Sequence, residues 1–260
     1  MRLRRFATRH PYWFVAILEI VVIFTYLLAG TIAQLAQLSG LWLYGLAQAG
    51  LALIALGLLT AMGWWRKVGY RRAYARRDLL YFIVPFLPII INLIPGVEFV
   101  SLGHLSAIFA VTLMVGFVEE SFFRGLMLQP LKAHGLWRAA IVTSVLFSLT
   151  HGLNLLAGES VVDAAAQLLY AGAIGFAFAA LALKLGIIWP LVLAHFLIDL
   201  ASMMLPPDFA FPPAWSLTIT LGTTAIFLLY GLFVMLRVAE RPFDAASAQP
   251  HADDAALQAA

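Results

Sequence analysis

The stretch HLSAIFAVTLMVGFVEESFFRGLML, residues 104–128, decides what kind of chain this is. It is apolar and long enough to cross a hydrocarbon core of about 30 Å, which takes about 20 helical residues. Toward its end it nonetheless carries Glu119, Glu120 and Arg124. A charge left unpaired in hydrocarbon costs several kcal/mol, so charges retained there need partners and a reason.

Outward from that stretch the chain keeps the same character. Of 260 residues, 63% are apolar and only 11% charged, too little polar surface for a water-soluble domain of this size. Apolar stretches at 12–30, 41–65, 79–97, 104–128, 138–153, 162–183, 187–205 and 215–236 each approach the length of a crossing. The expected fold is all-α, a polytopic membrane bundle of about eight transmembrane helices. The third stretch contains Pro85, Pro88 and Pro95 and is expected to bend, since neighbouring helices satisfy the freed carbonyls. Ala171, Gly172, Ala173 and Gly175 let the sixth pack closely on a neighbour. Residues 1–241 read as one transmembrane domain, and 242–260 as a small, polar, disordered cytoplasmic tail. The apolar run from Pro11 is too long for the core of a cleaved signal peptide, so it is read as retained. The chain has no Cys, which excludes disulfides, thiolate metal sites and a cysteine nucleophile.

The basic residues test this parsing. Arg2, Arg4, Arg5 and Arg9 precede the first stretch; Arg66, Lys67, Arg71, Arg72, Arg76 and Arg77 follow the second. Arg124, Lys132 and Arg138 lie around the end of the fourth, Lys184 follows the sixth, and Arg237 and Arg241 follow the eighth. The opposite segments, 31–40, 98–103, 154–161 and 206–214, contain no Lys or Arg. Positive charge is retained on the cytoplasmic side, so both termini are expected there. The basic residues are juxtamembrane and face anionic lipid, which argues against a nucleic-acid partner.

Ionisable residues inside the spans are the candidates for function. They are Glu119, Glu120 and Arg124 in the fourth stretch, His151 at the end of the fifth, His195 and Asp199 in the seventh, and Glu19 in the first. Glu120 and Arg124 are four apart, acid before base, and form the expected structural pair. Glu119 is turned about 100° from Glu120 and is free to do chemistry. His195 and Asp199 share a face, and Phe147 lies one turn before His151. Counted at about 1.5 Å per residue from the cytoplasmic end, Glu119, His151, His195 and Asp199 fall in one layer of the membrane. Glu19 receives no role beyond pairing with another helix or with water.

At these residues the chain resembles the CPBP family of intramembrane proteases, the type II CAAX prenyl endopeptidases and their abortive-infection-like relatives. The family pattern of EExxxR, FxxxH and HxxxN or HxxxD is matched by Glu119-Glu120-Ser-Phe-Phe-Arg124, Phe147-Ser-Leu-Thr-His151 and His195-Phe-Leu-Ile-Asp199. The resemblance covers about residues 104–205. It implies an endopeptidase acting within a bacterial or archaeal plasma membrane on a peptide or protein, with CAAX-type C-terminal processing as one such reaction and prenylation left open.

The residues suit that chemistry. Glu119 with His151 can deprotonate a water, while His195 and a partner stabilise the oxyanion. Where relatives carry Asn, Asp199 accepts but does not donate when ionised, so it orients His195, ligates a metal, or works only when protonated, and the carboxylate role is the one expected. A divalent metal such as zinc, held by Glu119, His151 and His195 with water in the fourth place, is the alternative site. The alternative function is a non-catalytic membrane partner or immunity protein. A proton-coupled transporter ranks lower because no interrupted helix pair suggests inverted repeats. The topology makes a direct prediction: reporter fusions after residues 36 and 210 read non-cytoplasmic, and a cytoplasmic signal from either contradicts the scheme.

Overall fold

The computed structural model describes residues 2–38, 40–70, 76–156, 158–206, 209 and 211–239. Arg71, Arg72, Arg241 and the tail 242–260 lie outside them. Among the described residues every regular element is helical: α1 (Arg2–Arg9), α2 (Pro11–Leu35), α3 (Gly40–Ala61), α4 (Leu87–Leu93), α5 (Leu102–Glu119), α6 (Leu128–Leu131), α7 (Leu136–His151), α8 (Val161–Leu185), α9 (Trp189–Met203) and α10 (Pro213–Ala239). A π-helical stretch, Glu120–Met127, continues α5 into α6.

Local chemistry sets several of these boundaries. Ser101 caps α5, its hydroxyl accepting from the His104 amide at 3.1 Å. Ser160 caps α8 by accepting from the Asp163 amide at 3.1 Å and donating to its carboxylate at 2.6 Å. Such reciprocal caps satisfy amides that the first helical turn leaves open. At its other end α8 stops at Gly186, whose left-handed φ of +66° suits glycine.

Six helical stretches are long and apolar enough to cross a membrane: Pro11–Leu35, Gly40–Ala61, Leu102–His134, Leu136–Leu155, Val161–Leu185 and Trp215–Val238. Trp189–Met203 is apolar but shorter. The expected third span is not one bent helix. It is a 3-10 segment, Arg76–Phe82, followed by the short α4, with a break over 83–86. Pro85 and Pro88 are the physical reason, since each lacks an amide donor and the residue before a proline avoids the helical region. The segment still traverses the bundle. At one end of α9, Trp189 Nε1 donates to the Tyr70 carbonyl at 3.0 Å, and at the other the Glu98 amide donates to the Met204 carbonyl at 2.8 Å. The tally of about eight crossings therefore holds with one of them broken.

The bundle is knit by α8 against α7 and α10, by α5 against α9 and α3, and by α2 against α3. Small residues let these axes approach. A Cβ on Gly116 of α5 would lie 2.7 Å from the Val192 carbonyl oxygen of α9, and one on Gly175 of α8 would lie 3.1 Å from the Phe147 ring of α7. The outward faces carry Phe24, Leu53, Leu80 and Leu229, each more than 60% exposed, as a lipid-facing surface requires. Gly116→Ala is expected to destabilise the detergent-purified protein by about 1–3 kcal/mol, because backbone rather than a flexible side chain must move. Gly57→Ala, with nothing within 4 Å, is the control that keeps its melting temperature.

Candidate active site

The site begins with the turn that joins α5 to the π-helical stretch. Glu120 is fully buried and Arg124 is 1% exposed. Arg124 Nη1 donates to Glu120 Oε1 at 2.9 Å, and Nη2 donates to the Gly175 carbonyl at 3.4 Å. Its guanidinium lies 4.4 Å from the Phe147 ring centre and 5.5 Å from that of Phe178. The expected structural pair is therefore present, and the aromatic faces replace part of the lost hydration. A buried pair of this kind adds little net stability, but removing one member leaves an uncompensated charge.

Glu120 does more than pair. The same Oε1 is 2.8 Å from His195 Nδ1, so an Nδ1–H donates to it. The other ring nitrogen, Nε2, lies 3.4 Å from Glu119 Oε2 and 3.7 Å from Asp199 Oδ2. Two consecutive carboxylates thus bracket one imidazole. The contact that orients His195 belongs to Glu120, since Asp199 stands beyond hydrogen-bond reach. π-Helical turns are uncommon and concentrate at functional sites; this one starts at Glu120.

Glu119 is fixed from the other direction. Tyr26 of α2 donates to Glu119 Oε1 at 3.5 Å and accepts from Gln48 Nε2 of α3 at 2.7 Å. Neither residue was singled out from the sequence. A lone amide in an apolar span, as at Gln48, is the kind of polar contact that joins membrane helices; Tyr26 offered no comparable signal. Glu19 also finds a partner, accepting from Thr150 Oγ1 at 2.8 Å.

His151 ends α7 with Nδ1 2.8 Å from the Phe147 carbonyl and its ring edge-on to Phe147 at 4.8 Å. With Nδ1–H donated to that carbonyl, Nε2 is left as an acceptor. His151, His195, Asp199 and Arg124 all line a cavity of about 960 Å³. Glu119 lines a narrow crevice with Tyr26, Thr150 and Phe122 instead, reaching the cavity group through His195. Among the described residues no three His, Cys, Asp or Glu side chains converge as a metal-holding group. Glu119, His151 and His195 do not fit an ion as they stand, so no step is routed through one.

A helical membrane bundle with imidazoles, carboxylates and a buried guanidinium at the foot of a cavity defines the class of this protein. Residues 101–201 match the family model Rce1-like, type II CAAX prenyl endopeptidase, and all three motifs lie inside that segment. The family resemblance carried by those motifs is supported, and that family implies a protease embedded in the membrane. No curated protein and no solved structure matches the chain.

The geometry separates the two glutamates experimentally. Glu119→Gln leaves the buried pair intact and gives a folded protein, whereas Arg124→Ala strands Glu120 and costs about 3–5 kcal/mol, seen as lost folded yield. Equal loss of yield in the two variants contradicts the division.

Proposed function

We propose that the chain is an intramembrane endopeptidase in which Glu119 and His151 activate a water and His195 stabilises the oxyanion. The observation that carries this reading is the bracketing of His195 by Glu119 and Glu120 at the foot of the cavity. Glu120 accepts the Nδ1 proton and fixes the ring, and the doubly protonated form of His195 presents Nε2–H toward the reacting carbonyl. The water oxygen bonds to the carbonyl carbon while its proton passes to the Glu119 and His151 bases. Negative charge then gathers on the former carbonyl oxygen, where the Nε2–H donates. Collapse of the tetrahedral species breaks the carbon–nitrogen bond, and the proton held by the bases goes to the leaving amine.

Asp199 takes a different part from the carboxylate role expected of it. Glu120 already orients His195, and Asp199 lies beside Nε2 on the cavity wall. There it serves as a second donor to the oxyanion, which requires its protonated form. The CAAX-type reading comes from the family match over 101–201.

The test is cleavage of a farnesylated CAAX-type reporter peptide and its unprenylated counterpart by purified protein. Cleavage of either is expected, with a loss of about 10²–10⁴-fold in Glu119→Gln. Cleavage of neither favours the non-catalytic partner. The pH profile tests Asp199 separately. Activity falls as pH rises through its pKa, because the deprotonated group cannot donate, and Asp199→Asn stays active and loses that alkaline fall. Inactivity of the Asn variant at every pH contradicts the donor role.

A further inference from the structure

The cavity's lining lies toward one end of the bundle. Its lining follows a single face of α8 through Asp163, Gln167, Tyr170, Ile174 and Phe178, about 22 Å of helix from mouth to floor. Elsewhere it takes residues near the ends of α7 and α9 that lead into 152–160 and 204–212, such as His151 and Ser202, and the first turns of α10 at Ser216 and Thr220. No residue between Trp189 and Ala194 of α9, or beyond Thr223 of α10, contributes. The opposite end is solid. Arg124, Phe147 and Phe178 form the floor, and below them Phe123, Leu126, Met127 and Leu131 are all at most 2% exposed.

The two ends also differ in charge. The segments around the mouth, 154–161 and 206–214, contain no Lys or Arg, while Lys132, Arg138, Lys184 and Arg237 mark the closed end. By the positive-inside rule the closed end is cytoplasmic. We infer that the cavity admits its substrate from the non-cytoplasmic side. The substrate is therefore a peptide segment lying in the outer leaflet or presented at the outer surface, and the CAAX-type reporter serves as a chemical probe of the hydrolysis. This rests on the proposed function only in treating the cavity as the substrate's route.

The chain contains no Cys, so single substitutions report access without background. Full-length Gln167→Cys and Thr220→Cys, in spheroplasts, are treated with a membrane-impermeant maleimide and compared with inverted vesicles. Leu169→Cys is the control at similar depth, because Leu169 is 58% exposed on the outer surface, lies outside the cavity lining, and faces lipid. Both cavity positions are expected to label from outside at least about tenfold faster than the control, since a thiol in dry, apolar surroundings does not ionise. Labelling only in inverted vesicles, or no faster than at Leu169, overturns the inference. Labelling needs no catalysis, so the outcomes separate. A protein that labels from outside but cleaves no peptide loses the hydrolytic reading alone, and one that cleaves yet labels only from inside loses this one alone.

Discussion

One carboxylate oxygen, Oε1 of Glu120, accepts from Arg124 Nη1 at 2.9 Å and from His195 Nδ1 at 2.8 Å while the residue is wholly buried. Two elements meet at that atom, the π-helical stretch that carries Glu120 and Arg124 and α9 through His195, and Arg124 Nη2 ties in α8 by donating to the Gly175 carbonyl. In hydrocarbon none of these groups is tolerable alone. Each is kept because the others neutralise or bind it, so loss of one leaves the rest uncompensated. The small residues at Gly116 and Gly175 follow from the same constraint, since they let α5 meet α9 and α8 meet α7 closely enough for the contacts to form.

Chemistry and architecture are linked at His195. Its Nδ1 is committed to Glu120, which leaves Nε2 near Glu119 and Asp199 and turned to the cavity group. Glu119 is in turn held by Tyr26 and Gln48. The first two long helices, which lie outside the matched segment 101–201, thus position a residue inside it. The broken crossing over residues 76–93 leaves Pro88, Ile91 and Asn92 on the cavity wall. Irregular backbone at membrane depth is tolerated where it is buried or lines such a cavity.

The sequence was most legible where spacing alone determines proximity. Apolar length revealed the long helices, and the four-residue steps from Glu120 to Arg124 and from Phe147 to His151 became a 2.9 Å ion pair and a ring contact at 4.8 Å. Contacts between distant segments carry no such local sign. Nothing near residue 26 or 48 indicates that they meet Glu119, because that depends on how α2 and α3 lean on α5. The bracketing of His195 was hidden for a related reason. Ideal helix geometry turns Glu119 and Glu120 about 100° apart, yet an imidazole inserted between their side chains touches both. The prolines announced a bend in the third crossing, but spacing did not distinguish a bent helix from a broken one.

On the proposed mechanism a water held at this buried cluster is the attacking group, with no covalent acyl-enzyme. Cleavage of the reporter peptide in the presence of hydroxylamine, followed by mass spectrometry of the new C-terminal end, separates the two routes, because an acyl-enzyme is intercepted as a hydroxamate whereas direct attack by water yields the carboxylic acid. The expected product is the carboxylic acid alone for the wild-type protein, formed about 10²–10⁴-fold more slowly by Glu119→Gln. A hydroxamate product, or cleavage by Glu119→Gln at the wild-type rate, overturns this mechanism.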